Sequence, residues 1–161
     1  MAKFVLLFAL LALAGISSAV ARHRRHHALV VRGRVYCDPC RAGFETSAST
    51  FIAGAKIKVE CRNRQSMELL YSQEATTDLT GTYTIPVLED HHDELCDAML
   101  ISSPHPTCRI PSEGRDKARV ILTRNNGIAT DERFVNNMGF MTNQPLAGCT
   151  QILQQYQELD D

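Results

Sequence analysis

Six cysteines constrain this chain more than any other feature, because what they can do depends on the compartment in which the chain folds. They stand at Cys37, Cys40, Cys61, Cys96, Cys108 and Cys149 in a sequence of 161 residues. The N-terminus bears on the compartment. Lys3 precedes the apolar run Phe4 to Ile16, and the small residues Ser17, Ser18, Ala19, Val20 and Ala21 follow. That order reads as a secretory signal peptide with Ala19-Val20-Ala21 as the small-x-small site and a cut expected after Ala21. The run is about a dozen residues, short of the roughly 20 that a bilayer-spanning helix requires. No later stretch is apolar enough to span a membrane, and Glu158-Leu159-Asp160-Asp161 is neither a retention signal nor a lipid-anchor tail. The expectation is a secreted protein without membrane insertion.

In that setting Cys37-Asp38-Pro39-Cys40 has three readings. A redox dithiol needs a helix starting at the motif to lower the thiol pKa, and Arg41 to Ser47 shows no helical stripe. A zinc ribbon needs a second closely spaced pair, and Cys61, Cys96, Cys108 and Cys149 each stand alone in sequence. A disulfide framework is what a secreted domain of this size uses to supplement its core. Six cysteines allow 15 pairings, and spacing does not choose among them.

Between the cysteines the hydrophobic period is two. In Val31 to Cys37 the valines, Gly33 and Cys37 share one face, and Arg32, Arg34 and Tyr36 the other. Ala55, Ile57, Val59 and Cys61 alternate with Lys56, Lys58, Glu60 and Arg62, the pattern of a half-buried strand. Further strands are expected over Met67 to Ala75, Thr82 to Leu88, Leu95 to Ser102 and Ala118 to Thr123, with a short one near Phe134. Pro86, lacking an amide hydrogen, favours a sheet edge or bulge. Thr77 to Gly81 and Asn125-Asn126-Gly127 read as turns, Ser103 to Gly114 as a long proline-marked connection, and Gly139-Phe140 as a loop. Ile152, Leu153, Tyr156 and Leu159 share one face of a short terminal helix. The predicted fold is an all-β, antiparallel sandwich or barrel of six or seven strands with a C-terminal helix. The predicted organisation is a signal peptide at 1–21, a basic arm expected to be flexible at 22–28, and one β domain at 29–161.

The string Gly33-Arg34-Val35-Tyr36-Cys37-Asp38-Pro39-Cys40-Arg41, with Ala42-Gly43-Phe44 and Ile52-Ala53-Gly54-Ala55 after it, closely resembles the Ole e I-type pollen allergen family, including the late-anther proteins of pollen tubes. The likeness takes in all six cysteines, Thr77-Asp78-x-x-Gly81-x-Tyr83, Leu100-Ile101-Ser102-Ser103 and Asn137-Met138-Gly139-Phe140. It implies three bridges: Cys37 to Cys108, Cys40 to Cys149 and Cys61 to Cys96. It also implies location in the extracellular space or cell wall, and a part in pollen hydration, tube growth and allergenicity. Two departures stand out. Arg32 replaces the usual Glu, Gln or Thr on an outward face, and the chain has no Asn-x-Ser/Thr sequon, so no N-glycan is expected. The turn at Thr77 also looks like that of transthyretin-like sandwiches, an analogy of layout that carries no function.

Enzyme chemistry needs convergent groups, and none is evident. His91-His92-Asp93-Glu94 reads as a polar loop, not a metal site, because it lacks fixed ligand spacing. His105 has no nucleophile motif nearby. No phosphate loop is present, and no cofactor, metal or catalytic residue is expected. Totals of 17 Lys+Arg against 18 Asp+Glu exclude a generally basic nucleic-acid binder. Loss of residues 1–21 removes Lys3 as its sole charge and leaves 140 residues with the balance moved from −1 to −2. Against that mildly acidic background, Arg22, His23, Arg24, Arg25, His26 and His27 form a basic arm, a candidate polyanion-binding segment. The expected partners are a receptor-like kinase ectodomain, implied by the resemblance, or anionic cell-wall polysaccharide gripped by the arm. The protein is expected to be a monomer.

The arm generates a test. Histidines with an ordinary pKa near about 6.5 lose charge as pH rises, so retention on de-esterified pectin is predicted to weaken between about pH 5 and 7.5 and with added salt. Equal column retention of a chain beginning at Leu29 would reject arm-driven binding.

Overall fold

The first strand, β1 (Leu29–Asp38), is the longest, and it changes neighbours halfway along. The computed structural model describes residues 28–157; the signal segment, Arg22 to His27 and Leu159 fall outside them. The elements after β1 are β2 (Thr50–Phe51), β3 (Lys56–Asn63), β4 (Leu69–Thr76), β5 (Thr82–Val87), β6 (Glu94–Ser102), β7 (Cys108–Pro111), β8 (Lys117–Val120), β9 (Glu132–Phe134), β10 (Met138–Thr142) and the helix α1 (Cys149–Gln157). The first half of β1 pairs antiparallel with β5 and parallel with β9. Its second half pairs parallel with β10, which pairs with β7, and antiparallel with β2. A separate antiparallel sheet runs β4-β3-β6-β8. The two sheets form the sandwich, with Leu29, Val31, Val35, Ile57, Val59, Tyr83, Ile85, Val87, Ala98, Met138 and Phe140 buried in its core.

The all-β sandwich and the terminal helix match the sequence reading. The strand total differs because several strands are two to five residues long, below the length at which alternation can be read. Two pairings of β1 are parallel, because β9 and β10 return to it only after the chain has passed through the other sheet. Gly139-Phe140 lies in a strand, not a loop: β10 is apolar on both faces and buried on both, so it has no period-two signal. β7 lies inside the expected proline-marked connection, with Pro111 at its end, where a missing amide hydrogen costs no ladder bond. Pro86 sits in β5, which pairs with β1 alone and is a sheet edge. β8 stops at Val120 rather than Thr123, and the Leu122 carbonyl instead accepts from the His91 amide at 2.8 Å. Asp78 accepts from the Thr80 and Thr82 amides at 2.8 and 3.1 Å, closing the turn before β5.

Three disulfides cross the fold: Cys37–Cys108, Cys40–Cys149 and Cys61–Cys96, the pairs that the resemblance implies. The first fixes the end of β1 to β7, and the second fixes the turn after β1 to α1. The third joins directly opposed residues of β3 and β6. They close separations of 71, 109 and 35 residues, each worth about 4 to 5 kcal/mol in the chain-entropy account. On α1, Ile152, Leu153 and Tyr156 form a half-buried face, and Tyr156 meets Phe44 edge-on at 5.2 Å.

The alternation of β1 places Tyr36 on the outward face with Arg32 and Arg34, yet it is 1% exposed. It lies opposite Gly139 of β10, and a Cβ there would stand 2.6 Å from the Tyr36 ring. Tyr83 covers Gly33 in the same way from β5. In each case the ring fills the space that glycine leaves on a neighbouring strand.

On the outer face of the second sheet, Glu60 bonds to Lys58 and, at 2.9 Å, to Arg62. The Lys58 hydrogen bond first, then that of Arg62, hold its carboxyl below the ordinary value of 4.5 against the opposing effect of burial. Because the folded pKa is the lower one, this stabilisation is present above the unfolded value and is lost as pH falls through the folded value.

Two stability predictions follow from these contacts. Gly139→Ala should lower the unfolding free energy by about 1 to 3 kcal/mol through overpacking against Tyr36, read as a shifted urea midpoint with unchanged slope. The fall in stability below about pH 4.5 should be shallower in Glu60→Gln than in the parent, measured by urea unfolding across that range.

Candidate functional site

The motif that invited a redox reading, Cys37-Asp38-Pro39-Cys40, contributes one cysteine to each of two long-range bridges, and there is no free cysteine among the described residues. Buried Asp38 organises the turn between them, accepting from the Cys40 amide at 3.1 Å and the Gly43 amide at 2.8 Å. This is the geometry of a structural staple.

His105, the other isolated candidate, caps its own turn. Its Nδ1 accepts from the Cys108 amide at 3.1 Å and the Thr107 amide at 3.3 Å, which holds the entry to β7.

The segment His91 to Glu94 departs from the polar-loop reading at its first residue. His91 is 5% exposed, and its Nδ1 lies 2.9 Å from a Glu94 carboxylate oxygen. The imidazole packs against Tyr71 with ring centroids 4.8 Å apart. Cys61, His91, Glu94 and Cys96 each bring a donor atom within 4.8 Å of the others. Sequence reasoning missed this group because its members come from two strands and a loop, and no fixed spacing links them. His92, by contrast, is exposed beside Asp90 and Asp93. Burial opposes ionisation of Asp90, but the Arg124 amide, the Thr123 hydroxyl and the His92 amide outweigh it and hold its carboxyl below the ordinary range.

A surface groove lies where β8 and its continuation pass the loop leading to β9. Ile121, Ile128 and Phe134 line it and are 58%, 48% and 70% exposed. The charges around it are largely paired: Arg119 with Asp97 at 2.6 Å and Arg32 with Glu132 at 3.1 Å. Beneath it, buried Arg133 donates to the carbonyls of Thr123, Thr130 and Glu132. One guanidinium therefore fixes both ends of the loop that carries Ile128. Each of these apolar residues reads in sequence as an ordinary strand or turn residue, so the patch exists only once the fold brings them together. The basic arm, Arg22 to His27, lies outside the described residues.

Among the described residues no helix is long and apolar enough to cross a membrane. The family model for "Pollen protein Ole e 1 like" matches residues 27–157. The chain is 48% identical over 128 residues to pollen allergen Phl p 11 of Phleum pratense, covering 79% of this chain and 90% of that one. It is 45% identical over 128 residues to an Olee1-like protein of Betula pendula, covering 78% and 77%. It is 41% identical over 159 residues to pollen allergen Cro s 1 of Crocus sativus, covering 96% and 92%. The crystal structure of the major plantain pollen allergen Pla l 1 superposes with a TM-score of 0.66 at 28% identity, covering 75% of this chain and 98% of that one. With a matched family model across nearly the whole β domain, relatives above 40% identity and the same sandwich in a solved relative, this chain belongs to the Ole e 1-like pollen protein family.

Proposed function

We propose that this protein is a secreted, non-enzymatic pollen protein and potential allergen, acting as an extracellular ligand in hydration and tube growth. In this reading the partner is the ectodomain of a receptor-like kinase, and the contact is the groove of Ile121, Ile128 and Phe134. The observation that carries it is the exposure of these three large apolar side chains together on a domain tied by three disulfides. Side chains of this kind supply most of the binding energy at protein interfaces when they enter a partner's pocket. A backbone already held in place loses little further entropy on association. Because the flanking charges are paired within the protein, apolar contact rather than net charge would supply the affinity. The pollen setting is carried over from the relatives, which are named as pollen allergens. Secretion is supported by the apolar leader and by the disulfide chemistry of the six cysteines.

A second reading has its own observation, the three arginines and three histidines in residues 22–27. It makes the protein a wall-polysaccharide-binding module that uses the arm.

The two readings separate experimentally. Phe134→Ala combined with Ile121→Ser is predicted to weaken capture of a receptor ectodomain from a purified panel at least about tenfold, the scale of a loss above 1 kcal/mol at an interface centre. The thermal midpoint should be unchanged, because both side chains already face solvent. Ectodomain capture undiminished in that variant, with retention on de-esterified pectin lost in a chain beginning at Leu29, would favour the wall-binding reading.

A further inference from the structure

An open β-sheet ends in strands with one unpaired side, and proteins commonly blunt such edges with short strands, lysine, proline or bulges. Among the described residues, most edges of this fold carry such a device. β2 and β9 are two and three residues long, β5 contains Pro86, β7 contains Arg109 and Pro111, and β8 has four residues that include Lys117 and Arg119. β4 is different. It runs for eight residues, pairs with β3 alone, contains neither lysine nor proline, and bears Glu74 as its one charge. Its bulge falls at Leu70, near the start, and leaves Tyr71 to Thr76 in regular register with β3. We propose that β4 is a self-association edge, pairing antiparallel with β4 of a second copy about a two-fold axis at Gln73.

The direction of the free backbone groups follows from the pairing already present. In an antiparallel pair, alternate residues turn both amide and carbonyl toward the neighbour, and the residues between turn them away. Just past β4 the Thr77 amide donates to the Ala55 carbonyl, and the Thr77 carbonyl accepts from the Gly54 amide. Ala75, Gln73 and Tyr71 are in step with Thr77 and face β3, so Glu74 and Ser72 direct their backbone groups outward. The β3–β6 pairing agrees. Cys61 opposes Tyr71 on one side and Cys96 on the other, and its Cα lies 4.0 Å from that of Cys96, the spacing of a pair that exchanges no backbone hydrogen bonds. The amide and carbonyl of Cys61 therefore serve Tyr71. Among the described residues no other strand or loop amide bonds to Ser72 or Glu74.

The register follows from reciprocity, since in a two-fold contact each pair occurs twice. With Gln73 opposite its own copy, Ser72 opposes Glu74 of the second copy, and the two exchange both backbone hydrogen bonds. The Ser72 hydroxyl can donate to that carboxylate, and Tyr71 opposes Ala75, large against small. Centring the pair on Glu74 sets like charges against each other, which is destabilising. Centring it on Ser72 sets Glu74 against the bulged Leu70. A hollow lined by Tyr71, Gln73, Pro86 and Leu88 flanks the edge, and Leu88 is 73% exposed. The added strand lies over it, so apolar burial accompanies the backbone pairing.

In the dimer one sheet runs through both copies, with β8 at each outer end. The groove of Ile121, Ile128 and Phe134 lies beside β8, so both grooves stay open, at opposite ends. A dimer replaces the monomer expected from sequence, where an edge strand cannot be told from a central one.

Sedimentation equilibrium of the whole secreted protein, alone in solution, tests the pairing. Its weight-average mass should rise from that of one chain toward twice that value with concentration. Ser72→Glu sets a carboxylate against Glu74 at two symmetric places and should weaken association at least about tenfold, while adding Glu74→Lys should restore it. The thermal midpoint at low concentration should not change, because both side chains are exposed. Amide hydrogen exchange at Ser72 and Glu74 should slow as concentration rises. A monomer persisting to about 1 mM, or a dimer indifferent to Ser72→Glu, overturns the proposal. Protection of these amides only when a receptor ectodomain is added would assign the edge to that partner and overturn the dimer as well. Because self-association is read without any receptor, its failure leaves the groove reading standing.

Discussion

The covalent anchoring of β1 at its C-terminal end is the constraint on which the rest of the structure depends. Within four residues, Cys37 and Cys40 tie this strand to β7 and to α1, segments 71 and 109 residues further along. β1 is also the strand with four neighbours, two along each half. A small domain is stable by only about 5 to 15 kcal/mol in total, so two links that each remove several kcal/mol of chain entropy from the unfolded state matter greatly. Asp38, between the two cysteines, turns the chain so that one bridge points into the sandwich core and the other toward the helix.

That anchoring frees the far end of the molecule to carry exposed apolar surface. The loop from Arg124 to Asp131 contains no strand, yet its ends are held by the carbonyls that Arg133 gathers. Ile128 and Phe134 are thus presented from a fixed backbone. Around His91 the contacts are likewise long-range: the Leu122 carbonyl and the Tyr71 ring hold this residue beside the opposed Cys61 and Cys96 of β3 and β6. The groove lies outside the core, whereas Cys61 and Cys96 beside His91 belong to it.

How much could be read in the sequence differed from element to element. β3 was clear because one of its faces meets the core and the other meets solvent, and each side chain records its own face. β10 was not, since a strand covered on both sides has no polar face to give it away. The period of β1 gives Tyr36 its face but not its environment, because its burial comes from Gly139 of β10, about a hundred residues distant in the chain. His91 reads from its polar neighbours as a solvated loop residue; it does lie in a loop, but its side chain is buried. Its burial follows from a backbone bond to Leu122 and a ring contact with Tyr71, both long-range. The three apolar residues of the groove carry no common period, and so the patch could not be seen before the fold.

The sequence alone determined the inward and outward faces of the longer strands, the turn at Asp78, the leader pattern and, through family resemblance, the cysteine partners. These are local patterns or whole-chain likenesses, and each residue carries its share independently of where its neighbours finally lie. Only the tertiary structure decided which strands flank β1, that two of them run parallel to it, which polar side chains are buried, and which apolar ones meet at the surface. The physical reason is that such juxtapositions depend on how loops of tens of residues close. Loop-closure entropy changes only slowly with length, so local spacing leaves many closures nearly equivalent until packing and disulfides choose one.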